Sequence, residues 1–149
     1  MKARSSTPTR LLRASALLLV FFAAGHTFGF LAFKAPSPEG RAVFDSMNAV
    51  QFATGGQSLS YGGFYRGFGL SVSAYLLFTA FLAWRLGDIA NTHAQLAASL
   101  TRALLVLQLT NSALAFTCFA GPPQVLSIVV VLVVAAAAWR LGRAEPGKA

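Results

Sequence analysis

Polar side chains inside long apolar runs are the residues of this sequence that could do chemistry. His26, Tyr75 and Asn111 lie near the centres of three different charge-free runs, and Gln108 comes one helical turn before Asn111. A histidine titrates near neutral pH, and a tyrosine with two amides could orient it or a polar ligand. The cluster has two interpretations: hydrogen bonds that join helices, or a small ligand- or proton-handling site among three helices.

The runs that would position this cluster are long enough to cross a membrane. Ala14–Phe33 has 20 residues without a formal charge and Gly67–Trp84 has 18. Ala103–Trp139 has 37, interrupted by the turn-forming Gly121-Pro122-Pro123. Roughly 20 helical residues cross the hydrocarbon, and lipid offers no partner for an unpaired backbone group. The pattern therefore predicts a four-helix transmembrane bundle of the all-α class.

We expect a single membrane domain over residues 11–140, between polar cytoplasmic tails at 1–10 and 141–149. Its expected elements are a first membrane helix at 11–33, an interfacial helix at 38–53, and further membrane helices at 63–84, 100–120 and 124–140. The third membrane helix could start early, within Ala94–Leu100. The fourth has Ser127 as its polar residue and is expected to be a lipid-facing wall.

The net charge of +8 is distributed as a topology marker. Nine bases lie on the side of both termini and three on the other: Lys2, Arg4, Arg10, Arg13, Arg85, Arg102, Arg140, Arg143 and Lys148 against Lys34, Arg41 and Arg66. The positive-inside rule then predicts both termini in the cytoplasm of a bacterial inner membrane, with the bilayer and no nucleic acid as partner. A cleaved signal peptide ending near Ala23-Ala24-Gly25 is the alternative, but the apolar run continues to Phe33, as in an anchor.

The segment between the first two membrane helices carries its own helix pattern. Ser37 is a plausible N-cap, Pro38 suits the first helical position and Glu39 favours the first turn. The apolar spacing predicts an amphipathic helix that lies on the outer surface. Gly55-Gly56 is expected to end this helical region.

Aromatic and basic residues mark the outer end of the next membrane helix. Tyr61, Tyr65 and Arg66 suit an interfacial anchor. A second interpretation is an anion or headgroup site at the outer mouth, with Asp45 or Glu39 as a partner of the arginine.

Glycines four residues apart suggest close helix packing. Gly25 and Gly29 share a face beside His26, and Gly63 and Gly67 share another. Contacts within the bundle are favoured over a dimer interface, and they would turn His26 toward protein.

Several chemistries are excluded or weakened by composition. The lone Cys118 forms no internal disulfide, His93 lies too far from His26 for a shared haem, and no metal-ligand spacing occurs. The acids Glu39, Asp45, Asp88 and Glu145 all lie outside the spans, which weakens a proton- or cation-coupled carrier. No cofactor is predicted, although a lipid or quinone could bind.

Three segments resemble a family of small, uncharacterised bacterial integral membrane proteins: GHTFGF at 25–30, MNAVQF at 47–52 and SYGGFYRGFGLSVSAYLLF at 60–78. The resemblance covers roughly residues 12–139 and implies a four-crossing inner-membrane bundle without a known activity. In size and layout the chain is also similar, more weakly, to DoxX-like membrane proteins.

Three functional hypotheses follow. The first is a non-enzymatic accessory, assembly or sensing protein, or one that binds a lipid-like molecule among helices 1–3. The alternative is a small membrane enzyme or redox component that acts on a lipid or quinone through His26. The third is an oligomeric carrier, and a homo-oligomer or membrane-protein partner suits the first and third.

Overall fold

The computed structural model describes residues 6–143, a helical chain with one small β-hairpin. Its elements are α1 (Thr7–Ala32), α2 (Pro38–Ala49), β1 (Gln51–Thr54), β2 (Gln57–Ser60), α3 (Tyr61–Ile89), α4 (Ala94–Cys118) and α5 (Pro122–Arg143). By length and composition, α1, α3 and α5 could each cross a membrane. Residues 1–5 and 144–149, with the bases Lys2, Arg4 and Lys148, lie outside the described part.

The helices expected from the apolar runs are present, with different ends. Local caps explain two of the shifts. The Ser6 hydroxyl accepts a 3.5 Å hydrogen bond from the Thr9 N–H at the start of α1, inside the expected tail. Likewise the Ser60 hydroxyl accepts a 3.0 Å bond from the Gly63 N–H, so α3 begins at Tyr61. α4 begins at Ala94, within the early-start window, and the turn at Gly121 is confirmed by its positive φ of 73°.

The interfacial helix expected over 38–53 ends four residues earlier than predicted. α2 ends at Ala49, and residues 51–60 form an antiparallel hairpin in which Phe52 pairs with Leu59. Gly55 and Gly56 have φ values of 55° and 77°, as a two-residue type I′ turn requires. The glycine pair therefore closes a hairpin and does not cap a helix.

The predicted start of α2 is confirmed. The Ser37 hydroxyl accepts a 3.0 Å bond from the Gly40 N–H, Pro38 occupies the first turn, and Glu39 follows it. The Glu39 pKa is lowered, first by a hydrogen bond from its own backbone N–H and then by the Ser37 hydroxyl. A charged Glu39 also suits the positive end of the helix dipole.

The chain divides into two compact units, with boundaries inside α1 and α3. Unit 1 comprises the described part of Met1–Phe22 and Leu76–Ala149. Its core is rich in alanine and aliphatic side chains, and α4 packs along α5. The Ser112 and Ser127 hydroxyls lie 3.2 Å apart between these two helices, and Ser127 is buried. The last helix thus has a buried side, and its expected role as a lipid-facing wall stays a prediction.

Unit 2, Ala23–Tyr75, is joined mainly by aromatic rings. Phe30 contacts Tyr65, Tyr65 contacts Phe44, and Phe44 contacts Phe33, with centroid separations of 5.4, 6.1 and 5.8 Å. On the hairpin, the Phe52 ring lies 4.8 Å from the Tyr61 ring. These contacts connect α1, α2, the hairpin and α3 within this unit.

The predicted packing glycines are not the ones in close contact. At Gly25, Gly29 and Gly67, an added Cβ would meet no described atom within 4 Å, and at Gly63 it would meet the Ser60 cap. Gly62 and Gly69 are close positions, since an added Cβ would overlap the Asn48 side chain at Gly62 and the Phe30 ring at Gly69. At Gly69, glycine admits an aromatic ring and not a second helix backbone.

Candidate functional site

The four residues of the predicted intramembrane cluster are divided between the two units. His26 and Tyr75 belong to unit 2, whereas Gln108 and Asn111 belong to unit 1. Gln108 is 4% exposed, and its Nε2 has no hydrogen-bond partner among the described residues. Asn111 is exposed and Tyr75 is 71% exposed. A common site for all four stays a prediction.

His26 joins α1 to α3 within unit 2. Its Nε2 lies 3.0 Å from the Gly69 carbonyl oxygen, and its ring stacks on Phe30 at 5.9 Å. Because a carbonyl only accepts, Nε2 carries the hydrogen and donates it. One residue later, the Thr27 hydroxyl lies 2.7 Å from that of Ser73. Both contacts are interhelical hydrogen bonds of the kind that fix helix register in membranes.

The residues predicted at the outer mouth have separate surroundings within unit 2. Tyr61 contacts Phe52 of the hairpin, whereas Tyr65 contacts Phe30 and Phe44. Arg66 is exposed. Among residues 6–143 the salt bridges are both to Asp88, so neither Asp45 nor Glu39 pairs with Arg66.

An open apolar groove of about 250 Å³ lies in unit 1 and is here called the α1–α3 groove. Ala16 and Ala80 are buried and form its floor. Its walls are larger side chains that are partly exposed: Leu17, Val20, Leu77, Phe81 and Trp84. From Leu77 to Trp84 the groove extends about 10 Å along α3. Two small residues facing each other, with bulky neighbours, thus leave an open channel.

A charged group lies at the Trp84 end of the groove. Arg13 Nη2 is 3.0 Å from Asp88 Oδ1, and Arg85 Nη1 is 3.4 Å from Asp88 Oδ2. The guanidinium of Arg13 also lies 5.1 Å from the centre of the Trp84 ring, in a cation–π contact. Arg13 and Asp88 remain partly exposed, so their pairing contributes at most about 1 kcal/mol to stability. We call Arg13, Arg85 and Asp88 the arginine clamp.

The length of α3 brings the clamp together. Trp84 and Asp88 are four residues apart and share a face, because α3 continues to Ile89 and does not end at Trp84 as expected. Gly87 lets α1 come close: an added Cβ would lie 3.3 Å from the Thr9 carbonyl oxygen and 3.4 Å from Arg13 Cγ. The sequence contained a signal for the pairing of Arg13 with Asp88. Arg13 comes directly before the first charge-free run, and Asp88 comes shortly after the second.

Residues 6–143 contain no cluster of three or more His, Cys, Asp or Glu able to hold a metal ion. Cys118 is exposed near the end of α4, next to the Thr117 hydroxyl.

Comparisons with known protein families, with curated proteins and with solved structures find no match to this chain. The resemblance to small bacterial four-helix membrane proteins therefore stays a prediction, and function is argued from the groove and its surroundings.

Proposed function

We propose that this protein is a non-enzymatic integral membrane protein that binds a lipid-like molecule in the α1–α3 groove. The observation that carries the proposal is the shape of the groove: an apolar channel with an alanine floor and a charged, aromatic end. It is smaller than pockets for drug-sized molecules, which measure about 300–1,000 Å³, and its length of about 10 Å suits a segment of one acyl chain.

The proposal includes four crossings of a bacterial inner membrane with both termini in the cytoplasm. Support for a fourth crossing comes from α4, whose 25 residues extend about 37 Å and pack along the apolar α5. The short turn before Pro122 makes the two helices antiparallel neighbours. An even number of crossings and the nine-to-three distribution of bases then favour a cytoplasmic location for both ends.

The topology can be tested with single cysteines in a Cys118→Ser background. Cysteines at Ser6 and Gly142 should react with a membrane-impermeant maleimide only after the inner membrane is opened. A cysteine at Ser58 on the hairpin should react in intact spheroplasts. Reaction of Ser6Cys and Gly142Cys from opposite sides would contradict the four-crossing arrangement.

Lipid binding can be tested by filling the groove. Ala80→Leu places a larger side chain on the groove floor, and Ala103→Leu makes the same change at an exposed position of α4. After purification in mild detergent, native mass spectrometry should find lipid on the unaltered protein and on Ala103→Leu. Ala80→Leu should retain several-fold less, because packing against the groove is what holds an acyl chain in an apolar medium.

A second pair of variants controls for misfolding of Ala80→Leu. Phe81→Ala removes a wall of the groove, whereas Phe68→Ala removes a similarly exposed ring on the same helix that does not line it. Loss of lipid with Phe81→Ala alone supports the groove. Equal lipid retention by all four variants would exclude it as the binding site.

A further inference from the structure

The charges of the arginine clamp do not cancel one another. Two guanidinium groups face one carboxylate, so the clamp has one positive charge in excess. All three side chains are partly exposed, at the end of the groove where Trp84 stands. An anion can therefore approach the clamp from the same side as a molecule in the groove.

One donor of the clamp also lacks an acceptor. The Nε of Arg13 is buried and has no hydrogen-bond partner among residues 6–143. A buried donor without an acceptor is unfavourable, and a small shift of the partly exposed Arg13 side chain that brought Nε to a ligand oxygen would remove that penalty. Guanidinium groups match the oxygens of a phosphate, and arginine binds phosphates with paired hydrogen bonds.

We infer that the groove selects an anionic phospholipid, with its phosphate on Arg13 and Arg85 and one acyl chain along Ala16 and Ala80. This inference rests on the proposed function and adds the headgroup class to it. Trp84 belongs at the boundary between the two parts of such a ligand, since tryptophan favours the headgroup level. The clamp lies beside the last turn of α3, on the side proposed as cytoplasmic, where anionic lipids attract basic side chains.

The test equilibrates the detergent-purified protein with an equimolar mixture of phosphatidylglycerol and phosphatidylcholine, and native mass spectrometry then gives the ratio of the two bound lipids. The unaltered protein should prefer phosphatidylglycerol, because the choline ammonium of phosphatidylcholine would bring a second positive charge to a clamp that already has one in excess. Arg13→Gln should lower that ratio about fivefold, because one arginine near an anionic lipid contributes a factor of that size. Arg102→Gln, at an exposed position of α4, should leave it unchanged.

A variant that is expected to raise the ratio of bound lipids keeps the test informative if Arg13→Gln folds poorly. Asp88→Asn keeps both arginines and removes the carboxylate that competes with the phosphate, so the ratio should rise. A fall in the ratio with Asp88→Asn, or equal losses with Arg13→Gln and Arg102→Gln, would overturn the headgroup assignment.

The two proposals fail in different ways. If Ala80→Leu retains as much total lipid as the unaltered protein, the groove does not bind lipid and both proposals are wrong. If Ala80→Leu loses both lipids but Arg13→Gln keeps the original ratio, only the headgroup inference is wrong. A lipid-free dimer that Ala80→Leu dissociates would place a second copy of the chain in the groove and overturn both.

Discussion

The two units of this chain are stabilised by different kinds of contact. Unit 1 buries alanine, leucine and valine along its helices, as at Ala137, Val134 and Leu141 of α5. Unit 2 has few buried side chains and is joined by ring contacts and by hydrogen bonds from His26 and Thr27. In lipid, burial from water does not drive helices together, so small side chains, close packing and polar bonds must do so. The comparison shows both solutions in one chain.

Intrinsic fluorescence can follow the units separately. Both tryptophans, Trp84 and Trp139, belong to unit 1, and the three tyrosines, Tyr61, Tyr65 and Tyr75, belong to unit 2. Replacing both tryptophans with phenylalanine leaves tyrosine emission as a signal from unit 2 alone. Unfolding of unit 1 can therefore be followed by tryptophan emission, and unfolding of unit 2 by tyrosine emission.

The largest effect is expected in the packed core of unit 1. Leu141 is 2% exposed, and Leu141→Ala leaves a cavity that should lower the free energy of unfolding by about 2–5 kcal/mol. Leu132 lies on the same helix but is 63% exposed, so Leu132→Ala should change stability by less than about 0.5 kcal/mol. Tryptophan-monitored unfolding in mixed detergent measures both. Equal effects would contradict the assigned burial of α5.

A somewhat smaller effect is expected from overpacking unit 2. Gly69→Ala places a methyl group against the Phe30 ring and should destabilise this unit by about 1–3 kcal/mol. Gly67→Ala has open space around its added Cβ and should be neutral or stabilising by up to about 1 kcal/mol. Tyrosine emission in the tryptophan-free background distinguishes the two variants. If Gly69→Ala left the stability of unit 2 unchanged, the Phe30 ring would not lie on Gly69.

The hydrogen bond of His26 should contribute less. His26→Ala removes the donor to the Gly69 carbonyl, and we expect a loss of about 0.6 kcal/mol, up to about 2, from unit 2. His93, exposed before α4, provides the control, since His93→Ala breaks only a contact with Thr92. If His26→Ala abolished lipid or quinone binding without lowering stability, the enzyme or redox alternative would replace the proposed function.

The smallest effect is a local response of α2 to acid. Because the folded-state pKa of Glu39 is lowered, its stabilising effect is complete above the ordinary glutamate pKa and is lost as pH falls through the folded value. The amide chemical shifts of residues 38–41 should therefore report partial loss of the first helical turn in that acid range. Glu39→Gln should lack this transition. A Glu39 titration at or above its ordinary pKa would contradict the assigned hydrogen bonds.

Local chemistry made part of the fold predictable. Ser37, Pro38 and Glu39 each act within one turn of helix, so their order alone predicts where α2 starts. The glycine pair was predicted to end a helix and not to close the hairpin, because paired glycines suit both a helix end and a type I′ turn. Phe52 and Leu59 on either side of Gly55-Gly56 were the pattern that favours the turn.

The candidate site was harder to predict than the helices. The charge-free run predicts that the second membrane helix ends at Trp84. A charged residue such as Arg85 can continue a helix beyond the hydrocarbon, and Asp88 then lies one turn after Trp84 on the same face. Which side of α1 faces α3 depends on packing that periodicity does not specify. Gln108 and Asn111 illustrate the same limit, since they are three positions apart and yet only Gln108 is buried.

Quenching of Trp84 by lipid provides the most direct test of the central claim, that the α1–α3 groove holds an acyl chain. The Trp139→Phe protein is loaded with a phospholipid brominated on its acyl chains, transferred to detergent and freed of excess lipid. Emission from Trp84 should remain quenched, and Ala80→Leu should restore it. The reciprocal Trp84→Phe protein, which reports from Trp139 on α5, should be little quenched after the same treatment. Full Trp84 emission after loading, or equal quenching of both tryptophans, would contradict lipid binding in the groove.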